Sequence, residues 1–448
     1  MGTIKRSSWV LMAGLLSACH HGGGASFNLE PLSPLPGVSD WSMSGGGPSH
    51  AGYVPVTLDA SKFSARWSVT VSEDNSHLCA QVLDECAYTG QTATDSADGR
   101  VVVVSSGGFF QSDGSDVFPL AILSLNESDG SMAWGDPSGV SDDMSNMPTF
   151  AFGPPSVADG KVYVSEIVFD FTFQANAKVT LYAFDARTGK QVFTAQPPCS
   201  GICGTFGNTQ AVISDSTLYE GTPLSAFDAD TGALRWTSAV GDSDPAVAPG
   251  ALYLSESDGF SAVDPASGSL QYQIKASNQS GFQTAPMLDG MGGAVVAHLG
   301  TAASNGGFVT HAHGFLDHYS LATRVQDWTV HGDFSVVMRP AVAQGVVYAC
   351  DGAVVKAYSV SDGTLLWSWT GDSSLQDDGA GTSNCSLLAT RNLLFVSSYQ
   401  TTTALDLAGH TAVWSWPEGG DLSLSPSGLL YITVASPAPA HLVAINLH

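Results

Sequence analysis

The chain has 448 residues, 44% of them hydrophobic and 12% charged, with a formal net charge of −26. That composition excludes a disordered chain, and the charge excludes nucleic acid as a partner, because an acidic surface repels phosphate backbones. The 49 Gly and 22 Pro suit a fold with many tight turns, while length alone would suggest two or three domains.

Residues 1–19 read as an export leader. Lys5 and Arg6 precede an apolar run from Trp9 to Leu16, which is short of the roughly 20 residues that a spanning helix needs. The run ends in LSAC, Leu16 to Cys19. Placed there, LSAC resembles the lipobox of bacterial lipoproteins, which implies cleavage before Cys19 and acyl chains (diacylglycerol, palmitate) on it. An ordinary signal peptide with an incidental Cys is the alternative. Acyl chains would anchor the protein without a transmembrane helix. His20 stands where Asp would retain a lipoprotein in the inner membrane, so the expected location is the outer membrane, facing the periplasm or the cell surface. Loss of Lys5 and Arg6 makes the mature charge two units more negative, −28. Residues 20–39, with HHGGGASF and PLSPLPG, read as a flexible tether. His20 and His21 could bind metal or simply be solvated.

From Asp40 onward one phrase recurs. Its clearest copy is LSAFDADTGALRW, Leu224 to Trp236: an apolar run ending in a turn-capping Asp, a polar turn closing on Gly, then an aromatic. It reads as strand, tight turn, strand. The cap is Asn126, Asp185, Asp228, Asp264, Ser320, Ser359 and Asp406, and eight residues after each comes Trp134, Phe193, Trp236, Tyr272, Trp328, Trp367 and Trp414. The spacing of the copies is near that of a four-stranded propeller blade. An eighth copy begins at LVAIN with Asn446 at the cap and lacks its last strand. The stretch FSARWSV, Phe63 to Val69, holds an unpartnered strand with Trp67. The expected fold is therefore all-β: an eight-bladed propeller of four-stranded antiparallel blades over residues 40–448, closed by an N-terminal strand that completes the last blade. Blades are expected at about 88–136, 152–196, 206–239, 243–275, 282–330, 338–370, 382–416 and 419–448.

The phrase, best matched by AFDARTGKQVF and AFDADTGALRW, resembles the tryptophan-docking repeat of quinoprotein-type (PQQ-like) propellers. The stretch DWSMSGGGPSHAGYVPVTLDASKFSARW, from Asp40 to Trp67, resembles the entry segment of the same family. The resemblance implies that Trp67 and the seven repeat aromatics dock each blade on the next. Docking should be looser in the copies where Ser320 or Ser359 replaces the Asp and where Phe193 or Tyr272 replaces the Trp. The fold does not carry a chemistry with it.

A PQQ-dependent dehydrogenase is the enzymatic alternative, but the sequence has neither an adjacent Cys pair nor a C-x-x-C-H haem site, and the repeat Asp residues are explained by turns. There is no Walker A motif, H-E-x-x-H or G-x-S-x-G. DADTGALRW starts like a calcium loop but lacks its later ligands. THAHGFLDH places His311, His313 and His318 together, as a transition-metal site or as a polar hairpin strand, and the hairpin is the simpler reading. No catalytic residue, cofactor or metal is expected. VFDFTF, Val168 to Phe173, is either an extended hairpin strand or a binding feature.

Cys19 apart, six Cys remain in a chain marked for an oxidising compartment. Proximity in the inferred fold pairs Cys79 with Cys86, Cys199 with Cys203 and Cys350 with Cys385, one of 15 possible pairings, with free or metal-binding thiols as the alternative. The expected function is a non-catalytic, lipid-anchored, monomeric scaffold that binds proteins. It is similar to the propeller lipoproteins of the outer-membrane β-barrel assembly machinery, which makes that machinery the partner the resemblance implies. A quinone- or calcium-binding enzyme and a cell-surface binder of polysaccharide or protein are the rival readings.

Overall fold

The computed structural model describes residues 27–70, 88–106, 120–136, 148–170, 178–198, 210–220, 223–241, 243–277, 283–298, 314–332, 334, 340–371, 385–434 and 440–448. Cys19, Cys79, Cys86, Cys199, Cys203, His20, His21, His311 and His313 lie outside the described residues.

Eight antiparallel sheets follow one another as the blades of a ring. They occupy 88–136, 148–195, 212–237, 246–275, 287–332, 341–370, 386–416 and 421–446, numbered here as blades 1 to 8. Each begins at the channel with its first strand and ends at the rim with its fourth. Burial follows that order. Second strands such as Ala251–Glu256 are buried at every position, as a strand packed between two neighbouring blades must be. Fourth strands such as Leu365–Thr370 alternate exposed and half-buried.

Blade 2 departs from the four-stranded plan. Pro148–Phe152 and Ser156–Ala158 both pair with the long strand Lys161–Asp170, giving five strands. Gly153, Pro154 and Pro155 break the inner strand in two, since proline offers no ladder donor. The first half of VFDFTF ends that long strand, so Val168–Asp170 belongs to a hairpin ladder.

The ring closes as the interrupted eighth repeat requires. Ser64–Thr70 pairs antiparallel with His441–Asn446, with Trp67 opposite Ala444. Buried Arg66 fastens the seam through backbone carbonyls. Its Nε and Nη2 donate to Ser128 O at 3.0 and 2.7 Å, and its Nη1 donates to Glu30 O at 2.7 Å and Asn446 Oδ1 at 3.0 Å. Across the same seam Tyr431 donates to Glu127 Oε1 at 3.1 Å and Ser427 donates to Oε2. Burial raises the Glu127 carboxyl above its usual range against these donors.

The described part of the tether is not free of the globule. Asn28 N donates to Ala65 O and Leu35 N to Pro426 O, while Leu32, Leu35 and Val38 pack on blade 8 and its seam with blade 1. The alternating Leu and Pro of LEPLSPLPG supply the apolar contacts that keep it there, against the expectation of a flexible tether over 20–39.

Cys350, in the second strand of blade 6, is joined to Cys385 at the start of blade 7, 35 residues on, with Cα atoms 6.4 Å apart. Chain-entropy arguments put such a cross-link at about 3–4 kcal/mol. A Cys350→Ala/Cys385→Ala double variant is expected to lose that much in urea melts. No loss would mean the link does not constrain the unfolded chain.

Candidate functional site

In most blades the turn is built by its cap, while in blades 1 and 6 Asp129 and Asp362 accept from Ser131 and Thr364 in place of Asn126 and Ser359. Asp228 Oδ1 accepts from Asp230 N, Thr231 N and Thr231 Oγ1 at 3.1, 2.9 and 2.8 Å. Its other oxygen accepts from Arg235. The Arg235 bond, then those from Thr231, hold its carboxyl down to about 2. Asp185 and Asp264 cap in the same way. Ser320 does so with its single hydroxyl.

Behind each turn the ladder skips one residue, between Ala226 and Phe227 in blade 3 and at the matching place in every blade, including Ala65/Trp67 at the seam. The bulge aims the next aromatic at the following blade. Trp67, Trp134, Trp236 and Trp328 each donate from Nε1 to a carbonyl in the next turn: Glu127 O, Ala186 O, Pro265 O and Val360 O, at 2.7–3.0 Å. Their rings lie on Gly130, Gly189, Gly268 and Gly363, all at positive φ. A Cβ at Gly189 would stand 2.6 Å from the Trp134 ring, so the turn glycine serves both backbone and docking.

Phe193 lies on Gly232 in the same way, with no N–H to donate. Blades 5 and 7 place Arg324 and His410 at positive φ where the repeat has Gly. There the docking changes character: the Arg324 guanidinium sits 4.5 Å over the Tyr272 ring, and His410 stacks on Trp367 at 4.6 Å. Trp414 meets no eighth turn and is covered edge-on by Phe63, which leads into the closing strand.

His318 is committed elsewhere. Its Nδ1 lies 3.0 Å from Asp327 Oδ2 and its Nε2 3.2 Å from Asp289 Oδ2, with the ring stacked on Trp328. Burial alone would raise Asp289. The bond from His318 and those from Gly293 N and Met291 N outweigh it and hold the carboxyl low. Among the described residues no group of three or more His, Cys, Asp or Glu could hold a metal. His318→Leu is expected to cost about 3 kcal/mol by leaving Oδ2 of Asp289, whose side chain is 3% exposed, without its imidazole partner. A chemical-denaturation midpoint equal to that of the parent would contradict this role.

The channel holds a feature the repeat does not announce. The innermost strands present backbone N–H groups with no further strand to pair with. Residues 41–56 lie across them as a strap. Trp41 O accepts from Thr94 N, Ser42 O from Val157 N, Pro48 O from Val247 N, Ser49 O from Leu288 N, Ala51 O from Val342 N and Gly52 O from Ala389 N, at 2.7–2.9 Å. These donors belong to blades 1, 2, 4, 5, 6 and 7. In most of these blades the donor lies within two residues of the blade's first tight turn. The strap therefore sits at the end of the channel where the turns lie, and the second-to-third and blade-to-blade connections leave from the opposite face.

Trp41, Met43 and His50 are buried. His50 Nδ1 is 2.8 Å from Ser44 O and its Nε2 is 3.2 Å from Pro245 O. Gly45 and Gly46 turn the strap at positive φ, Gly45 against the His50 backbone and Gly46 against the Trp41 ring.

Beside the channel, where blades 2, 3 and 4 meet, lies a group of oxygen acceptors. Glu220 is 1% exposed, and neither carboxyl oxygen has a hydrogen-bond partner. By ladder register its counterparts in the other blades are Val103, Val164, Leu254, Val296, Ala349, Val396 and Ile432, all buried and apolar. Burial, then the charge of Asp244, push Glu220 up to about 8. Ser165 eases it slightly from outside hydrogen-bond geometry. Gln210 N donates to Asp244 Oδ1 at 3.0 Å. The Gln210 amide is oriented by Nε2 contacts to Pro155 O and Ser156 Oγ, and its buried Oε1 has no partner. The signal for Glu220 was present in the sequence as a carboxylate at an otherwise apolar repeat position.

Residues 220–448 match the family described as outer membrane protein assembly factor BamB. The crystal structure of BamB from Moraxella catarrhalis superposes with a TM-score of 0.53 at 14% identity, over 86% of this chain and 99% of that one. A tetrathionate hydrolase of Acidithiobacillus ferrooxidans is 30% identical over 184 residues, 37% of this chain. The match spans about a third of that relative's length, 35%. The closed eight-bladed ring and the family match, which takes in slightly more than half of the sequence, give the identification: the chain belongs to the BamB family of propeller proteins.

Proposed function

We propose that the protein is a lipid-anchored scaffold of the outer membrane that binds other proteins during assembly of outer-membrane β-barrels. The observation that carries this reading is membership of the BamB family of outer membrane protein assembly factors. The leader, LSAC and Cys19 agree with an anchored, exported protein. The repeat carboxylates are used as turn caps, and both ring nitrogens of His318 are hydrogen-bonded to Asp327 and Asp289, so neither is free for chemistry. Envelopes of cells lacking the chain are expected to hold less correctly folded β-barrel protein, restored by the parent gene and not by a Cys19→Ala form that cannot be acylated. Unchanged barrel levels in the deletion would sink the reading.

A hydrolase acting on tetrathionate is the second reading, favoured only by the partial relative. Turnover of tetrathionate by purified protein would establish it in place of the scaffold.

A further inference from the structure

We propose that Glu220, Asp244, Gln210 and Ser165 form a binding site for a hard divalent cation, Ca2+, where blades 2, 3 and 4 meet beside the channel. This goes beyond the scaffold reading and does not depend on it. The two carboxylates carry the charge that one such ion neutralises. The donors on offer are all oxygen, with no His or Cys among them, which favours calcium over zinc or copper.

Three observations point to a ligand. Glu220 occupies a position that seven other blades fill with an aliphatic side chain, and burying a carboxylate without a partner is costly. The Gln210 amide is pinned by its nitrogen so that its oxygen is left over. Asp244 is fixed in place by the Gln210 backbone. Two of these donors are therefore oriented before any ion arrives, as metal ligands are when other groups hold them. Protons compete for the same carboxylates, so Ca2+ should bind more weakly in acid.

The test uses the full mature chain. Thermal melts in EDTA and in millimolar CaCl2 are expected to differ by about 3–8 °C, and calorimetry should show one site per chain. Glu220→Leu restores the residue type of the other blades. It should melt at or above the parent in EDTA and gain nothing from Ca2+. Gln210→Leu, which removes a donor and no charge, should weaken binding at least tenfold and serves if the Glu220 variant does not fold. Equal melting of the parent in EDTA and Ca2+ would overturn the proposal. So would a Ca2+ gain that survives Glu220→Gln, because the ion would then be bound elsewhere on the acidic surface.

Discussion

Trp67→Ala is expected to destabilise the protein by about 3–5 kcal/mol, as for large aromatic truncations in cores. Trp67 is 2% exposed and packs with Val101, Leu125 and Tyr431, so its ring is shared by blade 8 and blade 1. Its Nε1 also satisfies Glu127 O. The loss should be larger than for Trp134→Ala, although both rings dock alike, because only the seam joins chain segments that are not otherwise continuous. The ladder Ser64–Thr70 with His441–Asn446 is held by that packing and by Arg66. Trp67→Phe keeps most of the buried area and loses the hydrogen bond, so it should cost only about 1 kcal/mol more than repacking alone. Denaturation midpoints in urea measure both. Equal losses at Trp67 and Trp134 would mean the seam is no weaker than any other blade junction.

The second large effect is expected at Trp41. Trp41→Ala removes the side chain that seats the strap, 4% exposed and packed on the Gly46 turn. A loss of about 3–5 kcal/mol is expected. The more telling readout is local. Amide exchange should accelerate at Thr94, Val157, Val247, Leu288, Val342 and Ala389, whose N–H groups have the strap as their acceptor. Exchange at second-strand amides such as Leu252 should change much less, since those pair within the blade. Uniform acceleration across all strands would show that the strap has no separate opening and unfolds only with the ring.

What could be read from the sequence was local. A cap, a turn glycine and an aromatic eight residues on stand within one hairpin, so each copy shows its own reason. The copies together set the blade count, and the missing strand after Asn446 pointed to Trp67. What could not be read was long-range or carried by the backbone. The strap acts through carbonyl oxygens that every residue has, and its partners lie in six blades spread from Thr94 to Ala389. The turns of Arg324 and His410 were legible from their caps and aromatics, but the contacts these two residues make with Tyr272 and Trp367 of the preceding blade were not. Glu220 was legible only once the ladders had aligned the repeats, when one carboxylate stood in a column of aliphatic residues. His318 pairs with Asp289, 29 residues away, a partner the THAHGFLDH motif does not contain.

The most direct measurement is isolation of the chain from detergent-solubilised envelopes after mild cross-linking, followed by identification of what is joined to it. The scaffold reading predicts recovery of a subunit of the outer-membrane β-barrel assembly machinery, with cross-links on the propeller. Recovery of the chain alone, at cross-linker levels that trap other assembly partners from the same envelopes, would contradict it.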